Sequence, residues 1–455
     1  MKTRAMRRVS ARHKWDRLKV SFWFAPVVMS LAAILLAWMM YWVDGLIPNE
    51  LLSNSHLILS GTPGELRTML IGMAGTILAT AGVVFTLLTL PLSTVAAQYG
   101  SRLLRVFLGD RTTQLVLGMF VATFVYCLAA ALSIPPPNIE PEGPQVTATV
   151  GLFLMLGTFA SLILLVQHIS TMLQAPNIAA AAGAELLDVV RAEIPDEVRS
   201  SGHPGLEAAQ ALVETDAYAV RVRRTGYIQY IDPQSLLTLA KERDLVIRLL
   251  CKPGHFVWRE AVVALVWPAG PRREQAKLHP IDELLGGQLL MAFRLGNTRT
   301  PTQDIAYAVN QLVEMAVRAM SPAINDPFTA MTCLDYIGEG LALFIQQGAK
   351  SPYYYDQDGR LRLVLGPMTI GELLDGAFDM LRHCSCDNAS VLRHMLEVFD
   401  AIGQEAVSPE VRQELSRHIS LIQAESQAGG LIEQDRLLVQ RSAEALRSKW
   451  KEVPV

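Results

Sequence analysis

The sequence predicts an α-helical membrane protein with four transmembrane helices, followed by a cytoplasmic α+β region in which a small β domain precedes a mainly helical domain. Three observations predict it. Hydrophobic residues make up 51% of the 455 and charged residues 18%, which is shifted toward membrane proteins. Four apolar stretches between residues 22 and 168 reach the roughly 20 residues that a bilayer-crossing helix needs. From Tyr218 onward the pattern changes to short strand-like runs and then to long amphipathic helices.

Residues 1–21 form a basic cytoplasmic segment, with Lys2, Arg4, Arg7, Arg8, Arg12, Lys14, Arg17 and Lys19 opposed only by Asp16. Such a tail suits anionic lipid or nucleic acid. Its place ahead of an apolar run, and a net charge of −3, favour a topogenic signal facing the bilayer and no nucleic-acid partner. The transmembrane domain covers 22–173, with spans at about 22–43, 68–97, 113–132 and 149–168. The first has Trp23 at one end and Trp38, Tyr41 and Trp42 at the other, as interfacial belts require. It is too long for a signal peptide and no small-residue cleavage site follows it. Arg102 and Arg105 lie between the second and third spans, whereas the loop IPPPNIEPEGPQ is acidic. The positive-inside rule then places both termini in the cytoplasm.

The second span carries a stripe of small and hydroxyl residues: Thr68, Gly72, Gly75, Ala79, Gly82, Thr86, Thr89 and Ser93. Small residues let helix backbones approach closely in lipid. Hydroxyls could instead line a water-filled path between subunits of a homo-oligomer. Pro91 allows a kink near the inner end. The four spans hold no Asp, Glu, Lys or Arg, which argues against a coupled transporter but not against a channel. His168 at the inner end of the fourth span reads as an interfacial residue.

A juxtamembrane helix and linker occupy 174–204, and a small β domain 205–293 with strands AYAVRV, GYIQYI, LVIRLL and AVVALV. The order GYIQYID, then CKPGHFVWREAVVALV, resembles small barrel modules, but no lysine sits at a hairpin tip, which argues against a carrier. The helical domain, 294–455, opens on the best-specified stretch of the chain. Thr300 reads as an N-cap, with Pro301 in the first helical position and Gln303 closing a capping box. Ser321-Pro322 ends that helix, and Asn325-Asp326-Pro327 starts the next. Asp304, Gln311, Glu314 and Arg318 lie on one polar line of the first helix. That line is either a solvated face or, with Asp304, Arg318, Asn325 and Asp326 converging at the turn, a ligand or subunit junction.

Gly296-x-x-Arg299-Thr300-x-x-Gln303-Asp304, with Ala319-Met320-Ser321-Pro322-Ala323-Ile324-Asn325-Asp326-Pro327-Phe328-Thr329-Ala330, resembles the signature of bacterial membrane proteins grouped as domain of unknown function 2254. The Gln98–Arg102 loop departs from the family pattern, having Gly100-Ser101 where a Ser-Pro is expected. The resemblance implies a bacterial inner-membrane protein with a cytoplasmic domain, and it brings no activity. Arg299, Asp304, Arg318, Ser321, Pro322, Asn325, Asp326 and Pro327 are therefore candidates for a cytoplasmic motif or junction.

Weaker signals resolve blandly. Asp356-Gln357-Asp358-Gly359 reads as a hairpin turn between YYY and RLRLVL. His383-Cys384-Ser385-Cys386 with His394 matches no common zinc spacing, and the five cysteines fit free thiols. From Pro409 to Trp450 the chain reads as helix. The sequence has no Gly-rich phosphate loop, no G-x-S-x-G and no HExxH, so neither catalytic residue, cofactor nor metal ligand is assigned, and an enzyme is not expected. The leading expectation is an oligomeric inner-membrane channel gated by its cytoplasmic domain. The alternative is a membrane-anchored sensor or scaffold whose cytoplasmic domain binds a ligand or protein partner.

Overall fold

The computed structural model describes residues 23–46, 58–98, 110–134, 144–172, 174–192, 217–269, 283–348, 352–366, 368–405 and 408–452. The basic tail, the Arg102 loop, most of the proline-rich loop after Ile134 and the linker SSGHPG lie outside them. The chain forms two compact units, Met1–Ile178 and Ala179–Val455.

In the first unit the described helices are α1 (Phe24–Leu46), α2 (Pro63–Gln98), α3 (Arg111–Ser133) and α4 (Gln145–Met172). They overlap the expected spans with shifted ends, and α2 runs through Pro91 without a break. Helix α3 is the hub, packing on α1, α2 and α4. Close approach comes from glycines outside the expected stripe. A Cβ at Gly118 would lie 2.5 Å from Met29 Sδ, and one at Gly151 would lie 2.9 Å from Leu70 Cδ2. Asp44, in the last turn of α1, caps the start of α4, its carboxylate accepting Val146 N at 2.7 Å and Thr147 N at 2.8 Å. Asp110 caps α3 by accepting Thr113 N at 2.7 Å. The helices are longer than the expected spans and so take in Asp44, Glu65, Arg67 and Arg111 at their ends.

Helix α5 (Ala175–Ala192) contains the boundary between the units. The second unit then alternates strands and helices: β1 (Tyr218–Arg221), β2 (Gly226–Ile231), α6 (Pro233–Arg243), β3 (Leu245–Leu249), β4 (Phe256–Val257), β5 (Val262–Pro268), α7 (Glu283–Leu290) and β6 (Phe293–Gly296). Helices α8 (Ile305–Ala319) and α9 (Pro327–Gln346) follow, then the hairpin β7 (Tyr353–Tyr355) and β8 (Leu361–Val364). The chain closes with α10 (Ile370–Cys384), α11 (Ala389–Glu405), α12 (Pro409–Ala428) and α13 (Glu433–Glu452).

The strands form two sheets, β1-β5-β3-β8-β7 and β4-β2-β6, not one small barrel. The larger sheet is assembled from two stretches of chain, because β8 pairs in parallel with β3. Its hairpin turn forms as expected around Gly359 at φ +74. Asp356 holds it, accepting Arg362 Nε at 2.7 Å, while Arg362 also reaches Asp244 at 2.7 Å. The helices pack in a chain of neighbours, α8 on α9 and α10, α9 on α11, and α12 and α13 on α11. The C-terminal stretch from Pro409 is helical as expected, in two helices parted at Gly429-Gly430.

Length and composition do not by themselves single out four spans. Five described helices are long and apolar enough to cross a membrane, the fifth being α9. Asp335 and Glu339 hide it from a charge-based reading, although its remaining residues are mostly apolar or small. In the second unit its face Cys333, Leu334, Ile337 and Leu341 is buried.

Candidate functional site

The segment between β6 and α8 is a clamp rather than a helix start. The expected cap at Thr300 and Pro301 is not used, and α8 begins at Ile305 with Asp304 as N-cap. Gln303 explains the delay. Its Oε1 accepts Ile231 N at 2.9 Å and its Nε2 donates to Ile231 O at 3.0 Å, so it serves β2 as a missing strand would. From the other side Gln229 Nε2 donates to Thr298 O at 2.7 Å.

Asp304 is the centre of this clamp. Its side chain is only 1% exposed, and Arg299 meets it with two parallel hydrogen bonds of 2.8 Å. The same carboxylate accepts Tyr307 N at 2.9 Å, and Arg299 lies over the Tyr307 ring at 5.5 Å. A carboxylate with three donors in a buried site is fixed in position. Gly254 closes the clamp at φ +90, and a Cβ there would stand 2.1 Å from Asp304 Oδ2.

Beside the clamp lies a cavity of about 500 Å³, walled by Ile231, Leu237, Leu249, Ile305, Tyr354 and Leu365, with Lys252 and Gln303 at its polar edge. A second hollow of about 460 Å³ shares Cys251, Lys252 and Gly366 with it. Lys252 Nζ donates to Glu372 at 2.7 and 2.8 Å, and Glu372 also completes the capping box of α10 with Thr369. Burial pushes the Glu372 carboxyl up, but the Lys252 and Thr369 hydrogen bonds outweigh it and hold it below the usual range. Burial lowers His255 at the loop tip, with help from the Lys252 charge. Burial pushes the Cys251 thiol up to about 12, so it lines the wall as a protonated, unreactive group.

Of the motif residues, Arg299 and Asp304 come together and the others do not join them. Arg318 pairs with Glu314 at 3.2 Å, Ser321 Oγ donates to Arg318 O, and Pro322 and Asn325 are exposed. Asp326 caps α9, accepting Thr329 N at 3.1 Å, with Pro327 in the first turn. The 15 residues of α8 separate the two groups by about 20 Å at 1.5 Å per residue. The expected convergence at the turn is thus overturned. The polar line is solvated only toward its C-terminal end, since Asp304 and Gln311 are buried while Glu314 and Arg318 are partly exposed.

All eight residues of the α2 stripe, Thr68, Gly72, Gly75, Ala79, Gly82, Thr86, Thr89 and Ser93, are exposed on the chain. The threonine hydroxyls donate to carbonyls four residues back, Thr68 to Gly64, Thr86 to Gly82 and Thr89 to Phe85. Buried polar contacts run instead between α3 and α4, where Thr123 and Thr158 lie 2.8 Å apart and Tyr126 donates to Thr147 O. At one end His168 Nε2 meets Asp110 at 3.0 Å. Burial raises the Asp110 carboxyl, yet its bonds from Thr113 and His168 prevail and hold it low. His168 is thus an interhelix partner, a role whose only sequence signal is the cap residue before α3.

Comparison with known proteins supplies kinship without chemistry. The chain is 28% identical over 393 residues to an uncharacterized protein of Mycobacterium bovis and, equally, to one of Mycobacterium tuberculosis. Those alignments cover 84% of this chain and 72% of each relative. No solved structure matches. The family described as "Predicted membrane protein (DUF2254)" matches residues 19–401, taking in α1–α4 and the clamp. Apolar helices and family match agree, and the chain belongs to the DUF2254 family of membrane proteins.

Proposed function

We propose that this protein is a membrane-anchored sensor of the bacterial inner membrane, with both termini cytoplasmic, whose cytoplasmic unit binds a small and largely apolar molecule with one polar end. It acts by binding rather than by catalysis. The observation that carries the reading is the cavity of about 500 Å³ beside the Asp304 clamp. Its size and mostly apolar wall suit a small ligand, with Lys252 and Gln303 as orienting groups. The clamp supports the reading because it ties one wall, Ile231 to Ile305, to a fixed frame.

The test is a thermal-shift screen of the full-length protein in detergent against small amphipathic anions and neutral lipophiles. Gly366 lines the cavity and has open space where a side chain would begin. Gly366→Phe should fill the cavity, keep the fold and abolish the shift. A screen without hits, or hits that Gly366→Phe leaves untouched, would sink the proposal.

A gated channel is the second reading, favoured by the exposure of the whole α2 stripe, which a second copy could face in a homo-oligomer. It ranks lower because the threonine protons are spent on the helix's own carbonyls. Such a surface needs no water and tolerates lipid or a dry helix contact. Single-channel recording in planar bilayers tests it, with Gly82→Leu expected to abolish current or assembly.

A further inference from the structure

We infer that Asp375, Asp379 and His418 form a site for a divalent transition-metal ion that braces α10 against α12. Asp375 and Asp379 are four residues apart on α10 and so share one face. His418 approaches from α12, and the ligand atoms of the three residues lie within 4.8 Å of one another.

His418 points independently to a missing ligand. It is fully buried, with Phe378 and Phe399 at 6.1 and 6.0 Å. Its Nε2 lies 3.2 Å from Asp375 Oδ1, whereas Nδ1 has no hydrogen-bond partner and stands 4.0 Å from Asp379. A buried ring nitrogen without a partner costs free energy, so such a group invites an explanation.

Charge points the same way. Among the described residues, Arg382 pairs with Asp379 and with Glu425, which His383 also meets at 3.6 Å, and Arg417 pairs with Asp375 and Glu414. The two cluster carboxylates carry the charge that one dication neutralises. Arg417 now bonds Asp375 and lies 3.2 Å from His418 Nε2. It is 42% exposed and already bonds Glu414 at 2.9 Å, so it can leave Asp375 without losing its other partner. One imidazole and two carboxylates suit Zn²⁺ or Co²⁺ better than the all-oxygen cations, at about 2.0–2.2 Å per ligand. The three side chains would draw in by about an ångström to reach that geometry. His418 lies beyond residues 19–401, which the family model matches.

Full-length protein in detergent, stripped with a chelator and dialysed, should take up one Zn²⁺ per chain. Uptake should fall at least tenfold in affinity in Asp379→Asn and in His418→Gln, and Zn²⁺ should raise the thermal midpoint of the wild type alone. Asp379 is 46% exposed, so its amide variant keeps the fold even where His418→Gln does not, and circular dichroism checks both. Substituted Co²⁺ should absorb without a thiolate charge-transfer band, which separates this site from nearby Cys384 and Cys386. Folded wild type that takes up no Zn²⁺, uptake unchanged in Asp379→Asn, or a thiolate band each overturns the inference.

Discussion

At its N-terminus α8 is capped by Asp304, and after its C-terminus the chain turns to Asp326, which caps α9. In sequence the two aspartates look alike, each close to a proline and three residues before the amide it accepts. The structure separates them. Asp304 is buried, bound by Arg299 and overlaid by the backbone of Gly254, whereas Asp326 is half-buried beside the exposed Ile324, Asn325 and Phe328. One carboxylate organises a site and the other starts a helix. A cap residue is therefore a local device whose weight depends on what else the fold brings to it.

The largest effect should come from Asp304→Ala. It removes a cap and leaves Arg299 facing a buried gap, so denaturant unfolding should show a loss of about 3 kcal/mol or more. A loss near 1 kcal/mol would reduce Asp304 to an ordinary cap and erase the contrast. Gly254→Ala tests the same centre from the opposite side. The left-handed backbone and the clash with Asp304 should cost about 1–3 kcal/mol and displace the clamp, read as faster amide exchange at Tyr307.

Asp326→Ala should cost about 0.5–2 kcal/mol, the range of a lost N-cap, without changing ligand binding in the cavity. Lost binding with unchanged stability would make the turn a functional site after all. The smallest effect belongs to the membrane unit. Thr86→Val on the exposed stripe should shift the thermal midpoint within the noise of a change of about 0.5 kcal/mol, since its hydroxyl serves only its own helix. A large loss there would mean that the stripe is covered.

Much of the architecture was legible before any tertiary contact was known. The first four apolar helices follow from length and composition, because lipid leaves a spanning chain few alternatives. Strands β1, β2, β3 and β5 and the hairpin at Asp356–Gly359 follow from alternation and turn residues, whereas β4 and β6 were not read. The second cap-and-proline start at Asp326 was readable because capping is decided within four residues. Its neighbour at Thr300–Gln303 misled, since Gln303 spends its side chain on Ile231, seventy-two positions away. No local rule reports such a partner.

By itself, then, the sequence determined most of the helices and the main strands, where Asp326 caps, and that the chain is a membrane protein. These depend on periodicity, turn chemistry and transfer to lipid, all short-range or additive quantities. Only the tertiary structure decided that β7 and β8 complete the first sheet, that α9 buries its Cys333–Leu341 face in the second unit, and that Asp304 meets Arg299 beneath Gly254. It likewise decided that the stripe of α2 faces outward and that His418 arrives beside Asp375 and Asp379. Each of these depends on side chains far apart in the chain sharing one volume, which burial and packing settle and spacing does not.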